Sequence, residues 1–138
     1  ILLPVDGSSS TQRMCSYLAA HKNLFAPGHT YTVLHCIEPM SVRAAGQAGP
    51  EFVRNYYAQE LAEVMAPIRP LLDQAGIEAE YAHEVGNPAD EIAAFADAGN
   101  YDLLVMGSHG HGALANLTLG SVSTKVLARC GVPVLLVR

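Results

Sequence analysis

Residues 103–108 read Leu103-Leu104-Val105-Met106-Gly107-Ser108, an apolar run that ends directly in glycine and serine. A short, uninterrupted apolar run bounded by turn residues is typical of a strand that is buried on both faces. Helical patterns lie on both sides of this run, one beginning at Asn87-Pro88 and the other at Gly120-Ser121. A buried strand between two helices predicts a parallel sheet, because parallel strands need a crossover connection.

The same alternation of strand and helix extends outward over the chain. Apolar runs predict five strands, at residues 1–5, 31–37, 77–85, 103–106 and 132–137. The third run alternates apolar residues with glutamates, which is typical of a strand near the edge of a sheet. We therefore predict an α/β fold, an open five-stranded parallel sheet with helices on both faces, as a single domain over residues 1–138.

Local signals predict how the connecting segments are built. Asn87 is expected to cap the helix that starts at Pro88, and Gly99 to end it. Glycines and prolines predict a loop over residues 38–50, and Pro67 and Pro70 predict a kink or break in the helix that follows. The apolar spacing of Met14, Tyr17, Leu18, His21 and Phe25 predicts a first helix that stops at Pro27-Gly28.

Composition excludes several classes of protein. Half of the residues are hydrophobic and 15% are charged, against about 25% charged in an average soluble protein. A net charge of −5 argues against a nucleic acid partner, and no apolar run reaches the roughly 18 residues of a membrane span. The cysteines Cys15, Cys36 and Cys130 are few and odd in number, which favours a reduced, cytoplasmic setting.

A glycine-rich segment follows the strand that ends at Met106. Glycines let backbone N–H groups approach an anion, and the helix beginning at Gly120-Ser121 offers unpaired N–H donors. The segment therefore predicts a phosphate site. It is not a Walker A loop, because the chain contains no Gly-Lys pair. It also fits the dinucleotide fingerprint poorly, because no acidic residue follows Asp102 to hold a ribose.

The glycine spacing resembles the Gly-x2-Gly-x9-Gly-Ser motif of the ATP-binding branch of the universal stress protein family, here Gly107, Gly110, Gly120 and Ser121. Further segments of the same family occur in order along nearly the whole chain. They are Ile1-Leu2-Leu3-Pro4-Val5-Asp6-Gly7-Ser8, Gly86-Asn87-Pro88, 102–108, Gly120-Ser121-Val122-Ser123 and Pro133-Val134-Leu135-Leu136-Val137. The resemblance implies a Rossmann-like sheet of the adenine-nucleotide α-hydrolase-like type.

The resemblance also implies a role for particular positions. Pro4, Val5 and Asp6 would line the nucleoside end of an ATP pocket, and backbone near Val33 and Leu34 would meet the adenine. Met106 and Gly107 would lie under the sugar and α-phosphate. Gly110, Gly120, Ser121, Val122 and Ser123 would hold the phosphates, together with Mg²⁺ or Mn²⁺.

Two histidines depart from the family pattern. His109 and His111 stand where many relatives have arginine, and a neutral imidazole contributes less to a phosphate than a guanidinium does. These side chains are either phosphate contacts whose strength rises as the pH falls from about 7.5 to 6, or exposed loop residues.

The predicted function is that of an ATP-binding regulatory protein of the stress response. No residue supplies an obvious general base over a γ-phosphate, so we predict no fast hydrolysis. The alternatives are a slow ATP-hydrolysing or phosphate-transferring enzyme that uses Asp6 and a divalent metal, and an interaction module without nucleotide. The apolar run Val132 to Val137 would form a sheet edge, and both this edge and the resemblance imply a homodimer, or a higher oligomer, built through it.

Overall fold

A computed structural model describes residues 1–25, 28–111 and 119–138. In this part of the chain the strands are β1 (Leu2–Val5), β2 (Tyr31–Ile37), β3 (Ala79–Val85), β4 (Leu104–Gly107) and β5 (Val134–Val137). The helices are α1 (Ser9–Ala20), α2 (Val42–Ala48), α3 (Pro50–Ala75), α4 (Pro88–Ala98) and α5 (Ser121–Arg129). The strands lie in the order β3-β2-β1-β4-β5, and all four pairings are parallel. The predicted open parallel sheet is confirmed.

The direction of winding changes at β1. From β1 the chain moves outward through β2 to β3, and it then crosses to β4 and β5 on the other side. The helices that follow β1 and β4 lie on opposite faces of the sheet, so the connections at these two strand ends diverge. In an open parallel sheet, this reversal leaves a crevice at the carboxyl ends of the strands.

Two hydrophobic cores cover the two faces of the sheet. Neighbouring residues of a strand serve opposite cores, because side chains alternate along a strand. Leu3 and Val33 pack with α1 and α3, whereas Leu2 and Leu34 pack with α4 and α5. All four side chains are fully buried. Many of the apolar residues thus lie in strands that are covered by helices on both faces of the sheet.

The start of α4 follows the sequence signals closely. The Asn87 side chain accepts a hydrogen bond from the backbone N–H of Ala89 at 3.2 Å, and Pro88 is the first helical residue. Gly99 is the C-cap. The predicted start and end of this helix are confirmed.

The loop predicted over residues 38–50 is wrong, because the segment contains α2. The Ser41 side chain caps this helix by accepting a hydrogen bond from the N–H of Ala44 at 3.3 Å. Gly49, with φ of 85°, ends α2 and precedes Pro50, which begins α3. The glycine and proline therefore mark the boundary between two helices.

Of the kink or break predicted at Pro67 and Pro70, the break is wrong, because α3 runs without interruption from Pro50 to Ala75; the kink stays a prediction. Each proline removes the donor to the carbonyl four residues earlier, at Glu63 and Ala66. Both prolines and both of these residues are exposed, so water can satisfy the two carbonyl groups.

The first helix is shorter than predicted. It ends at Ala20, where the N–H of His21 donates to the carbonyl groups of Tyr17 and Leu18. Phe25 is still buried, in a turn that follows the helix. The prediction placed the end of this helix at Pro27-Gly28, and Pro27 lies outside the described residues. Among the helices described, none is long and apolar enough to cross a membrane.

Candidate functional site

A cavity of about 370 Å³ opens at the carboxyl ends of β1, β2 and β4. Residues from the N-terminal ends of α4 and α5 complete its wall. We call it the central cavity. It coincides with the crevice created where the strand order reverses, which is the usual ligand site of such sheets. Its volume lies within the range of small-molecule sites, about 300–1,000 Å³.

Asp6 follows β1 and is held in a fixed orientation. Its Oδ1 accepts hydrogen bonds from the N–H of Ser8 at 2.9 Å and from the hydroxyl of Thr11 at 2.8 Å. The Thr11 hydroxyl in turn accepts one from the N–H of Asp6 at 3.2 Å. The second carboxylate oxygen, Oδ2, points toward Gly110, where an added Cβ would lie only 2.9 Å away. A side chain at Gly110 would therefore displace this carboxylate.

The start of α5 is anchored to the end of β4 by backbone and serine hydrogen bonds. The N–H of Gly120 donates to the Ser108 carbonyl at 2.8 Å, and the Ser123 hydroxyl donates to the same carbonyl at 3.0 Å. The Ser123 hydroxyl is thus used inside the protein, whereas Ser121 is exposed at the cavity wall. Gly120 is the N-cap and no side chain caps the helix. The first-turn N–H groups of α5 consequently remain available to a ligand.

Glycine is required at Gly107 because α1 approaches closely. A Cβ at this position would lie 2.6 Å from the Cβ of Ser10 and 2.9 Å from its carbonyl carbon. A Cβ at Gly120 would lie 3.1 Å from the Cα of His109. These glycines let β4, α1 and α5 meet at one end of the central cavity.

The two histidines of the glycine-rich segment differ in their contacts. His111 is exposed, and its Nε2 lies 2.6 Å from the Asp6 carbonyl. Because a carbonyl only accepts, Nε2–H is the donor, and this bond links the segment after β4 to the segment after β1. His109 Nδ1 lies 2.8 Å from the Ser108 hydroxyl.

The end of β2 forms the apolar part of the central cavity. Leu34 and Cys36 of β2 line it, and so do Pro88 and Ile92 of α4. Burial, followed by the negative charges of Glu91 and Glu84, raises the pKa of the Cys36 thiol to about 12. The thiol is therefore neutral at physiological pH and acts as an apolar wall.

Twelve of the thirteen residues predicted for the site line the central cavity. They are Pro4, Val5, Asp6, Leu34, Met106, Gly107, Gly110, His111, Gly120, Ser121, Val122 and Ser123. Val33, whose neighbouring backbone was predicted to meet the adenine, does not line it: its side chain packs in the core on the other face of the sheet, with α1 and α3. Part of the predicted loop, residues 112–118, lies outside the described residues.

The sequence did not identify several other lining residues, namely Thr11, Cys36, Glu38, Pro88 and Ile92. A usable signal was present for two of them. Side chains two apart on a strand share a face, so a ligand at Leu34 implies contacts with Cys36 and Glu38. Pro88 and Ile92 carried no such signal, because α4 meets the end of β2 only in the folded chain.

Comparison with known proteins identifies the family. Residues 1–138 match the profile described as the universal stress protein family. The chain belongs to the universal stress protein family. A universal stress protein from the QAH/OAS sulfhydrylase 3' region of Thermus aquaticus is 34% identical over 139 residues, covering 100% of this chain and 97% of the relative.

An archaeal universal stress protein, from Methanocaldococcus jannaschii, is 29% identical over 153 residues, covering 100% of this chain and 93% of the relative. Its solved structure matches with a TM-score of 0.81 at 28% identity, over 99% of this chain and 93% of that one. The fold of the present chain is therefore that of a solved universal stress protein.

Two less similar structures of the universal stress protein family contain a nucleotide. One is from Archaeoglobus fulgidus in complex with dAMP, with a TM-score of 0.70 and 22% identity over 99% of this chain and 95% of that chain. The other is from Arabidopsis thaliana with AMP bound, with a TM-score of 0.69 and 18% identity over 99% of this chain and 89% of that chain. At these identities the comparison establishes a shared fold.

The site of this universal stress protein has acidic but no basic Lys or Arg side chains in its described lining. Among the described lining residues, Asp6 and Glu38 are acidic and neither lysine nor arginine occurs. Residues 112–118 contain no charged side chain in the sequence. An anion here would be bound by backbone N–H groups, the Ser121 hydroxyl and the histidines.

Proposed function

We propose that this universal stress protein binds an adenine nucleotide, ATP, in the central cavity and that the bound nucleotide regulates its conformation or association in the stress response. The observation that carries the proposal is the uncapped N-terminus of α5 at the wall of this cavity. A helix N-terminus combines free N–H donors with a partial positive charge, which favours phosphate.

The order of the strand ends supports an extended nucleotide. β4, β1 and β2 are consecutive neighbours in the sheet. Phosphates would lie at the β4 end beside Gly110 and Gly120, the sugar beside Asp6, and the base at the apolar end of the cavity beside Cys36 and Ile92. The AMP and dAMP complexes of family members support an adenine base. The Gly-x2-Gly-x9-Gly-Ser spacing supports the choice of a triphosphate.

A divalent cation, Mg²⁺ or Mn²⁺, is part of this proposal. In the part of the chain that the structure describes, no group of three or more His, Cys, Asp or Glu side chains could hold a metal ion. The ion would therefore be held chiefly by the phosphate oxygens, as Mg²⁺ commonly is in nucleotide sites. Asp6 Oδ2 is the carboxylate oxygen that faces the phosphate end.

The proposal does not include fast ATP hydrolysis. Asp6 Oδ1 already accepts two hydrogen bonds from the protein, and Nε2 of His111 donates to the Asp6 carbonyl, so neither atom is free to take a proton from an attacking water. We propose that the protein acts in the cytoplasm, which its three unpaired cysteines support. We also propose that two copies pair through β5, in which Val134, Leu135 and Leu136 are only half-buried.

The test is to purify the protein, identify any nucleotide released by heat, and titrate the apoprotein with ATP and AMP by calorimetry, with and without MgCl₂. Gly120→Val should reduce affinity for both nucleotides at least tenfold, because its side chain would occupy the space beside the α5 N–H groups. Gly46→Val is the matched control, because no atom lies within 4 Å of a Cβ at that exposed helical position.

Each alternative function gives a different result. Wild-type affinity in Gly120→Val would contradict the phosphate position. Rapid, repeated ATP turnover would favour an enzyme, and failure of the wild-type protein to bind at millimolar ATP would favour an interaction module.

A further inference from the structure

Glu38 follows the last residue of β2 and lines the central cavity. Leu34, Cys36 and Glu38 are two residues apart, and all three line this cavity. The alternation of side chains along an extended chain explains why they share one side. Glu38 is thus the charged residue next to the apolar lining that Leu34 and Cys36 provide.

The position of Glu38 corresponds to the base rather than the phosphates of a nucleotide. Neighbouring strands are about 4.8 Å apart, and β2 is two strands from β4. The end of β2 therefore lies about 10 Å from the phosphate end beside Gly120. At this end the cavity is lined by the apolar residues Cys36, Pro88 and Ile92, and Glu38 is the charged residue beside them.

The Glu38 carboxylate has no partner within the described part of the chain: it makes no hydrogen bond there and no ion pair. Asp6, by contrast, commits Oδ1 to Ser8 and Thr11. An ionised carboxylate only accepts hydrogen bonds. A ring bound in this cavity would therefore suit Glu38 if it carries a hydrogen-bond donor, such as an amino group, on its edge.

We propose that Glu38 determines base specificity by accepting a hydrogen bond from the exocyclic amino group of the bound purine. This inference rests on the proposed nucleotide binding. The carboxylate would favour a 6-aminopurine over a purine without that group. Its repulsion of the phosphates is small, because about 10 Å exceeds the screening length of about 8 Å at physiological ionic strength.

The experiment compares AMP with purine riboside 5′-monophosphate, which has hydrogen in place of the 6-amino group. Dissociation constants are measured by calorimetry for the wild-type protein, Glu38→Ala and Glu84→Ala. Glu84 is the matched control, because it pairs in register with Cys36 on the neighbouring strand but does not line the cavity. Monophosphates make the comparison independent of divalent cations.

The wild-type protein should bind AMP about tenfold more tightly than the analogue, the ratio expected for one hydrogen bond to a charged group. Glu38→Ala should reduce this ratio to less than about twofold by weakening AMP alone, and Glu84→Ala should keep it. Glu38 is exposed, so the variant should fold normally.

Other outcomes overturn the inference in distinguishable ways. An unchanged tenfold ratio in Glu38→Ala would mean that another group, such as backbone, reads the amino group. Equal strengthening of both ligands would mean that Glu38 only repels anions. Equal binding of both ligands by the wild-type protein would remove the inference and leave the proposed function intact, whereas binding of neither would remove both.

Discussion

Cys36 is a residue whose chemistry is set by its place in the fold. Its side chain is 9% exposed and lines the central cavity, and burial is the main cause of a pKa raised to about 12. Cys15 is buried away from the cavity, and burial raises the pKa of its thiol to about 11. Cys130 is half-exposed. The three thiols therefore differ in access to solvent and to a ligand.

We expect iodoacetamide at pH 8 to modify Cys130 first, Cys36 slowly and Cys15 only after unfolding. The thiolate is the reactive form, and the raised pKa of Cys36 keeps it protonated. Saturating AMP should slow labelling of Cys36 further without changing Cys130, because a ligand in the central cavity would cover only Cys36. Peptide mass spectrometry after timed quenching measures all three rates. Labelling of Cys36 at the rate of Cys130, or with no effect of AMP, would contradict the prediction.

α3 carries two prolines in an unbroken helix. Met65, Ile68 and Leu72 hold it against the sheet and are buried, while Pro67 and Pro70 face solvent. A proline inside a helix costs about 3 kcal/mol, through a lost hydrogen bond and a steric clash. Packing of the buried face must therefore outweigh the local preference for a break.

Pro67→Ala should stabilise the protein by roughly 1–2 kcal/mol, because it restores a donor to the Glu63 carbonyl and loses only part of the gain to a more flexible unfolded chain. Pro50→Ala is the control, because Pro50 is the first residue of α3, where the N–H has no helical partner. It should leave stability unchanged or slightly lower. Urea unfolding midpoints measure both effects. A lower midpoint for Pro67→Ala would show that this proline is stabilising where it stands.

Elements with strong local signals could be predicted from the sequence, and those decided by tertiary contacts could not. β2 and the start of α4 agree with prediction because β-branched residues and the Asn87-Pro88 cap act locally. α2 was missed because Gly46, Gly49 and Pro50 resemble a loop, although only Gly49 needs a positive φ. The glycine-rich segment that we propose to hold phosphates could be predicted from the sequence, because it is contiguous with α5. The apolar wall that Ile92 shares with Leu34 exists only after folding.

In the part of the chain that the structure describes, neither lysine nor arginine lines the central cavity. Arg129 pairs with Asp90, Arg69 lies over the ring of Tyr81, and Arg13 donates to the Ser10 hydroxyl. None of the three lines the cavity. The proposed phosphate binding would therefore rest mainly on backbone N–H groups, which is why we expect a side chain added at Gly120 to disrupt it.

The free edge of β5 is the feature through which one molecule can pair with another. The N–H of Leu104 donates to the Pro133 carbonyl, and the N–H of Ser108 donates to the Val137 carbonyl. Alternate residues of a parallel strand bond to the same neighbour. Val134 and Leu136 consequently turn their N–H and carbonyl groups outward, and an apolar edge of this kind invites a second strand.

If two copies pair through this edge, Leu136→Pro should convert a dimer into a monomer, because proline removes one outward N–H and leaves the β4–β5 ladder intact. Leu136→Ala is the matched control: it loses similar side-chain packing but keeps the donor, so it should remain dimeric. Light scattering coupled to size-exclusion chromatography gives the mass of each variant, and circular dichroism checks the fold. A dimeric Leu136→Pro would exclude backbone pairing at β5. A monomeric Leu136→Ala would instead mean that the leucine side chain, rather than the edge hydrogen bonds, holds the two copies together.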